Sequence, residues 1–154
     1  MINAIDHINI VVSDLERSVK FYTEVLGFEK INSLHLEGDW IDSVVGLKGV
    51  VADLVIIAAP EGEPRIELFN FKSPIGESIP SNSLANTIGL RHTALRVDDI
   101  QASYKKLKDA GVKILSEPAT VPPNLAPQSN VRKTMYYFLD PDGVLIEIAE
   151  IKKL

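Results

Sequence analysis

The sequence predicts an α+β protein of two tandem βαβββ modules with mainly antiparallel strands, and three observations carry that prediction. A strand, cap, helix and glycine pattern at the N-terminus returns with an offset of 85 residues, His7 mapping to His92 and Asp14 to Asp99. Each copy then continues into strand-like runs separated by turn residues. A helix followed by several strands in each half suits segregated layers, not the strict βα alternation of a doubly wound sheet.

The first copy opens with the β-branched run Ile5 to Val12, and Ser13-Asp14 follow as a helix cap. Leu15, Val19, Tyr22 and Leu26 then recur at three- and four-residue spacing, so a helix is expected over Leu15 to Leu26, stopped by Gly27. Strands are expected at Phe28 to Leu36, Val50 to Ala59 and Arg65 to Phe71, the last two joined by a turn at Pro60 to Pro64. In the second copy His92 to Val97 forms a strand, Asp98-Asp99 a cap, and Ile100 to Ala110 a helix ending at Gly111. Its further strands fall at Val112 to Ser116, Thr134 to Leu139 and Val144 to Ile151, with Asp140-Pro141-Asp142-Gly143 as the hairpin turn. The chain is thus one domain over 1–154, with module 1 at about 1–71, a linker at about 72–89 and module 2 at about 90–154. The Pro-rich stretch 116–133 is long for a connection inside a compact domain, which suggests a lid or pocket rim.

Composition narrows the function classes. At 45% hydrophobic and 24% charged residues the chain has globular composition and should bury a core without staples. Its net charge of −5 has the wrong sign for a phosphate backbone, so nucleic acid is not an expected partner. Cysteine is absent, which removes disulfides, thiolate catalysis and iron–sulfur clusters and leaves His and carboxylates as the only metal donors. The longest apolar stretch, Val50 to Ala59, is broken by Asp53, and no signal peptide precedes the first strand; a soluble, cytoplasmic protein with no membrane partner is expected. Phosphate-binding and dinucleotide glycine motifs and the Gly-x-Ser-x-Gly elbow are missing.

The informative residues are polar ones set in apolar strands. Glu67 lies in Ile66-Glu67-Leu68 and Glu147 in Ile146-Glu147-Ile148, so alternation turns each carboxylate to the face opposite its neighbours. Taken singly, each is a solvated strand residue, and the same holds for His7 and His92. The repeat changes this, because each module supplies a His in its first strand and a Glu in its last. Brought to one concave face, His7, Glu67, His92 and Glu147 make an N2O2 donor set suited to one divalent first-row ion: Ni, Co, Zn, Mn or Fe. His35 has no counterpart in the second module and reads as a pocket-edge or surface residue. Asn9 shares the face of His7, Arg96 that of His92 and Arg65 that of Glu67, so each can meet an anionic substrate group, with a surface salt bridge as the alternative for either Arg. Trp40 reads as a pocket wall or as core packing.

The chain resembles the vicinal oxygen chelate superfamily, which includes glyoxalase I, methylmalonyl-CoA epimerase, extradiol dioxygenases, and fosfomycin and bleomycin resistance proteins. The resemblance rests on Asp6-His7-Ile8-Asn9-Ile10-Val11-Val12-Ser13-Asp14-Leu15 with Leu26-Gly27-Phe28, on His92 followed by Val97-Asp98-Asp99-Ile100, and on Phe138 to Glu147. It implies a cupped sheet around a metal held by His7, Glu67, His92 and Glu147. A fourth ligand at Glu67 looks more like glyoxalase I than like the ring-cleaving dioxygenases, which use two His and one Glu. The resemblance therefore implies a metal-dependent lyase or isomerase that removes a proton beside a chelated carbonyl of a small oxygenated or thioester substrate. Glu147 is the first choice for the catalytic base and Glu67 the symmetric alternative, with Asn9, Trp40 and Arg96 as substrate contacts. The alternatives are an extradiol-type dioxygenase and a non-catalytic binder of a drug or metabolite. A homodimer is also implied by the resemblance.

Overall fold

The structure is a computed structural model that describes residues 1–125 and 130–154, and it divides into two units, Met1–Ser78 and Ile79–Leu154. Four residues of the Pro-rich stretch expected as a rim, 126–129, lie outside the described residues. No helix among the described residues is long and apolar enough to cross a membrane.

In the first unit, β1 (His7–Val11) leads into α1 (Leu15–Lys20), then β2 (Glu29–Glu37), α2 (Asp39–Val45), β3 (Val51–Ala59) and β4 (Gly62–Ser73). The strands form one sheet in the order β1-β4-β3-β2, in which only the β1–β4 pair is parallel. First and last strands of the module are therefore neighbours. The Asp14 carboxylate accepts the Arg17 N–H and starts α1. The expected helix to Leu26 then widens into a π turn over Phe21–Val25, with the Leu26 N–H donating to the Phe21 carbonyl at 3.2 Å. That turn seats Tyr22, fully buried, edge-on between Phe21 and Phe28. Ile10, Val55, Ile57, Ile66 and Leu68 are buried on the sheet face that carries even-numbered β4 residues. On the odd-numbered β4 face, Leu54 and Phe69 pack with Ile41 of α2, Val50 and Ala52, and Phe71 stacks on Phe69 at 4.6 Å.

The second unit repeats the plan. β5 (His92–Arg96) leads into α3 (Ile100–Asp109), the two-residue β6 (Ala119–Thr120), β7 (Val131–Leu139) and β8 (Leu145–Lys153), in the order β5-β8-β7-β6. Again only the outer pair, β5–β8, is parallel. Ile100 and Leu107 of α3 are buried, as are Tyr136, Phe138, Ile146 and Ile148 of the sheet, and the Ser103 hydroxyl bonds that of Tyr136 at 2.9 Å. Two details depart from the expected elements. The strand expected at Val112 to Ser116 is an isolated bridge, Ile114 to Phe138, flanked by hydrogen bonds from Leu115 N–H to Tyr137 and from Leu139 N–H to Lys113. The stretch between the strands expected at Phe28 to Leu36 and Val50 to Ala59, for which no element is expected, holds the end of β2 and helix α2 with Trp40.

Candidate functional site

Parallel pairing of the outer strands is what brings each His to its Glu. In β1–β4 the register sets Asn9 beside Glu67 and His7 beside Arg65, all on one face of the sheet. His7 Nε2 stands 3.4 Å from Glu67 Oε2, and Asn9 Nδ2 lies 3.5 Å from the same oxygen. In β5–β8 the equivalent register sets Ala94 beside Glu147 and His92 beside Leu145. His92 Nε2 stands 3.4 Å from Glu147 Oε2, the same separation as in the first module.

The two imidazoles are held differently. His7 Nδ1 lies 2.7 Å from the Asp6 carboxylate, which favours the tautomer with Nε2 free to accept. The His7 ring, and after it Arg65, holds the Asp6 carboxyl below its ordinary value of 3.8. Arg91 precedes His92, and the ring of His92 packs instead against Tyr137, with centroids 5.2 Å apart. Burial, and then the neighbouring Glu147 carboxylate, pushes the Tyr137 phenol above its ordinary value of 10.0.

The carboxylates are just as unequal. The Glu67 side chain is 20% exposed, whereas that of Glu147 is 3% exposed and has Lys133 Nζ 2.7 Å from Oε1. The Lys133 contact lies outside good hydrogen-bond geometry and is an ion pair. It offsets a carboxylate that burial would otherwise penalise heavily.

The other expected residues fall as follows. Arg65 spans Asp6 at 3.4 Å and Glu63 at 3.1 Å, the surface salt bridges that were its alternative. Arg96 is on the exposed side of β5, the side of His92. Trp40 sits on α2 with 57% of its surface exposed, which removes the core-packing alternative. His35 is exposed at the edge of a groove of about 1050 Å³ between α1 and the β2–β3 pair, 2.7 Å from Asp53. Asp53 raises its pKa above the ordinary 6.5. Lys133 and Tyr137 went unnoticed in the sequence, although alternation back from the Asp140–Gly143 turn puts both on the face of Glu147.

Among the described residues no group of three or more His, Asp or Glu side chains is gathered closely enough to hold an ion by itself. Each His–Glu pair nevertheless has the spacing of two donors to one ion. Two donors about 2.1 Å from a tetrahedral ion stand about 3.4 Å from each other. Imidazole nitrogen with carboxylate oxygen is also the donor chemistry of first-row divalent ions.

Comparison with known proteins bears on the whole chain. A protein of unknown role from Escherichia coli, YaeR, is 34% identical over 146 residues, covering 95% of both chains. A 2-epi-5-epi-valiolone epimerase from an Actinomyces species is 28% identical over 152 residues, 96% of this chain and 79% of the relative. The crystal structure of a glyoxalase family protein from Bacillus cereus superposes with a TM-score of 0.82 at 24% identity, over 98% of this chain and 95% of that one. The sequence profile of the Glyoxalase/Bleomycin resistance protein/Dioxygenase superfamily matches residues 4–148, and with the fold it makes this chain a member of that superfamily.

Proposed function

We propose that the protein is a metal-dependent isomerase or lyase of glyoxalase type, acting on a small substrate with a carbonyl next to an ionisable C–H. The observation that carries this reading is the recurrence of one His Nε2 to Glu Oε2 contact, 3.4 Å in each module. Surface histidines and glutamates have no reason to repeat a separation and a strand register together. His7, Glu67, His92 and Glu147 are the proposed holders of one divalent ion. When bound, that ion supplies Lewis acidity toward the substrate carbonyl.

The chain's own residues do the rest. A carboxylate oxygen of Glu67 or Glu147 takes the proton from the carbon beside the carbonyl and returns it, on the opposite face for an epimerase or on the neighbouring atom for an aldose–ketose type shift. Asp6 orients His7, so that Nε2 points at Glu67 throughout. Asn9 adds a side-chain amide beside Glu67, placed to meet a substrate oxygen. Arg96 offers a guanidinium on the His92 side for an anionic group. The epimerase among the relatives supports the isomerase branch, and a homodimer belongs to the same reading.

Elemental analysis of the purified protein, before and after chelation and divalent-ion add-back, tests the proposal. One ion per chain is expected, lost in His7→Ala and in Glu147→Ala while far-ultraviolet circular dichroism stays that of the folded chain. Full ion stoichiometry in both variants would overturn the four-donor assignment. Iron with dioxygen consumption would move the protein to the dioxygenases, and no uptake of any ion would make it a binder.

A further inference from the structure

The two modules repeat their backbone but not the surroundings of their carboxylates. Glu67 faces Ile56 across the β3–β4 pair, and the next-but-one pair on that face is Ala52 with Phe71. The equivalent positions in the second module are Tyr137, facing Glu147, and Lys133, paired with Ile151. Apolar residues thus flank one glutamate, while a phenol and an ammonium flank the other. The consequence is visible in the side chains: Lys133 Nζ engages Oε1 of Glu147 at 2.7 Å, the Tyr137 phenol interacts with the same carboxylate, and Oε2 faces His92 at 3.4 Å.

We infer that Lys133 is a positioning residue, which pins Glu147 through one oxygen so that the carboxylate offers only the other beside His92. This inference rests on the proposed metal-dependent function, and it divides the labour between the glutamates. Glu147 is a fixed donor through a single oxygen. Glu67, more exposed and met by His7 Nε2 at 3.4 Å and the Asn9 amide at 3.5 Å, both on Oε2 and neither a fixed positive charge, is the carboxylate able to pivot and carry a proton. A free carboxylate closes readily on an ion with both oxygens, whereas one whose second oxygen is held by an ammonium 2.7 Å away does not.

Two measurements on the full chain separate this inference from the function it rests on. The first needs no metal: the chemical shift of the Lys133 side-chain ¹⁵N should move in Glu147→Gln and stay in place in Glu67→Gln. A shift that does not respond to Glu147→Gln overturns the inference. The second uses Co(II) alone as the probe. In Lys133→Met the visible d–d bands should weaken and shift as Glu147 contributes a second oxygen and the coordination number rises. Lys133→Arg, which keeps a cationic donor on a long stem, should restore the bands of the unaltered protein. Identical spectra for Lys133→Met and the unaltered protein overturn the inference, as does an arginine variant that matches the methionine one. A Lys133 ¹⁵N shift that responds to Glu147→Gln with no Co(II) uptake at all defeats the proposed function while leaving Lys133 as the residue that orients Glu147.

Discussion

At the scale of single residues, polar side chains in apolar strands were readable because alternation leaves them only one face to occupy. His7, Glu67, His92 and Glu147 stand out in sequence on that ground, and the parallel outer pairs put each His within reach of its Glu. Lys133 was not legible in the same way, because a lysine in an alternating strand resembles any solvated residue until the hairpin register sets it on the face of Glu147. Glu150 was overlooked for a related reason: its role lies in a helix fifty residues back in the chain. Its carboxylate, 4% exposed, accepts the Ile100 N–H at 3.1 Å and pairs with Lys152 at 2.8 Å. Lys152 first, and the Ile100 N–H in support, holds the Glu150 carboxyl below its ordinary 4.5 against the opposing effect of burial. A carboxyl lowered on folding stabilises fully above its unfolded pKa and loses that contribution as pH falls through the folded one. Acid should therefore lower the melting temperature of the protein more steeply than that of Glu150→Gln below about pH 4.5. Parallel melting curves against pH in the two proteins would refute the linkage.

Among the elements, those with strong periodicity and a cap were legible and those made by tertiary context were not. α3 shows both signals, and its Asp99 carboxylate accepts the N–H groups of Gln101 and Ala102 at 2.9 and 3.0 Å. Asp99→Ala should cost about 1 kcal/mol in chemical denaturation, since a lost N-cap leaves those donors to water alone. No measurable loss would mean that Glu150 suffices to start the helix. α2 escaped notice because its seven residues are too few for a periodic pattern. Its signals are local ones: Gly46 at φ +71° closes the last turn, and the Asp42 carboxylate takes the Gly49 and Val50 N–H groups. The segment at Val112 to Ser116 failed in the other direction. Its apolar residues suit a strand, but only Ile114 makes a bridge, to Phe138, so the backbone touches β7 without forming a ladder.

For the whole molecule, the repeat was the most legible property, since it needs only that His7, Asp14 and Leu15 recur as His92, Asp99 and Ile100. What a single sequence could not convey was the inequality of the copies, which arises where β3 carries Ala52 and Ile56 and β7 carries Lys133 and Tyr137. Ion binding to the native chain should appear as linked stability. A divalent ion at a hundredfold excess over its Kd should add about 2.7 kcal/mol and raise the melting temperature, and His92→Ala should abolish the rise. An equal rise in that variant would place the ion elsewhere.

The parallel outer pairs also govern when the donors come into being. Each His–Glu couple joins the first strand of its module to the last, so nothing local in the chain preorganises it. Such long-range contacts carry the highest loop-closure cost and belong to the slow, late part of folding. A nascent or half-folded module exposes lone imidazoles and lone carboxylates but no matched couple. On the proposed function, ion capture requires a completed module, and a chain that stalls before its last strand docks has no couple to offer the ion.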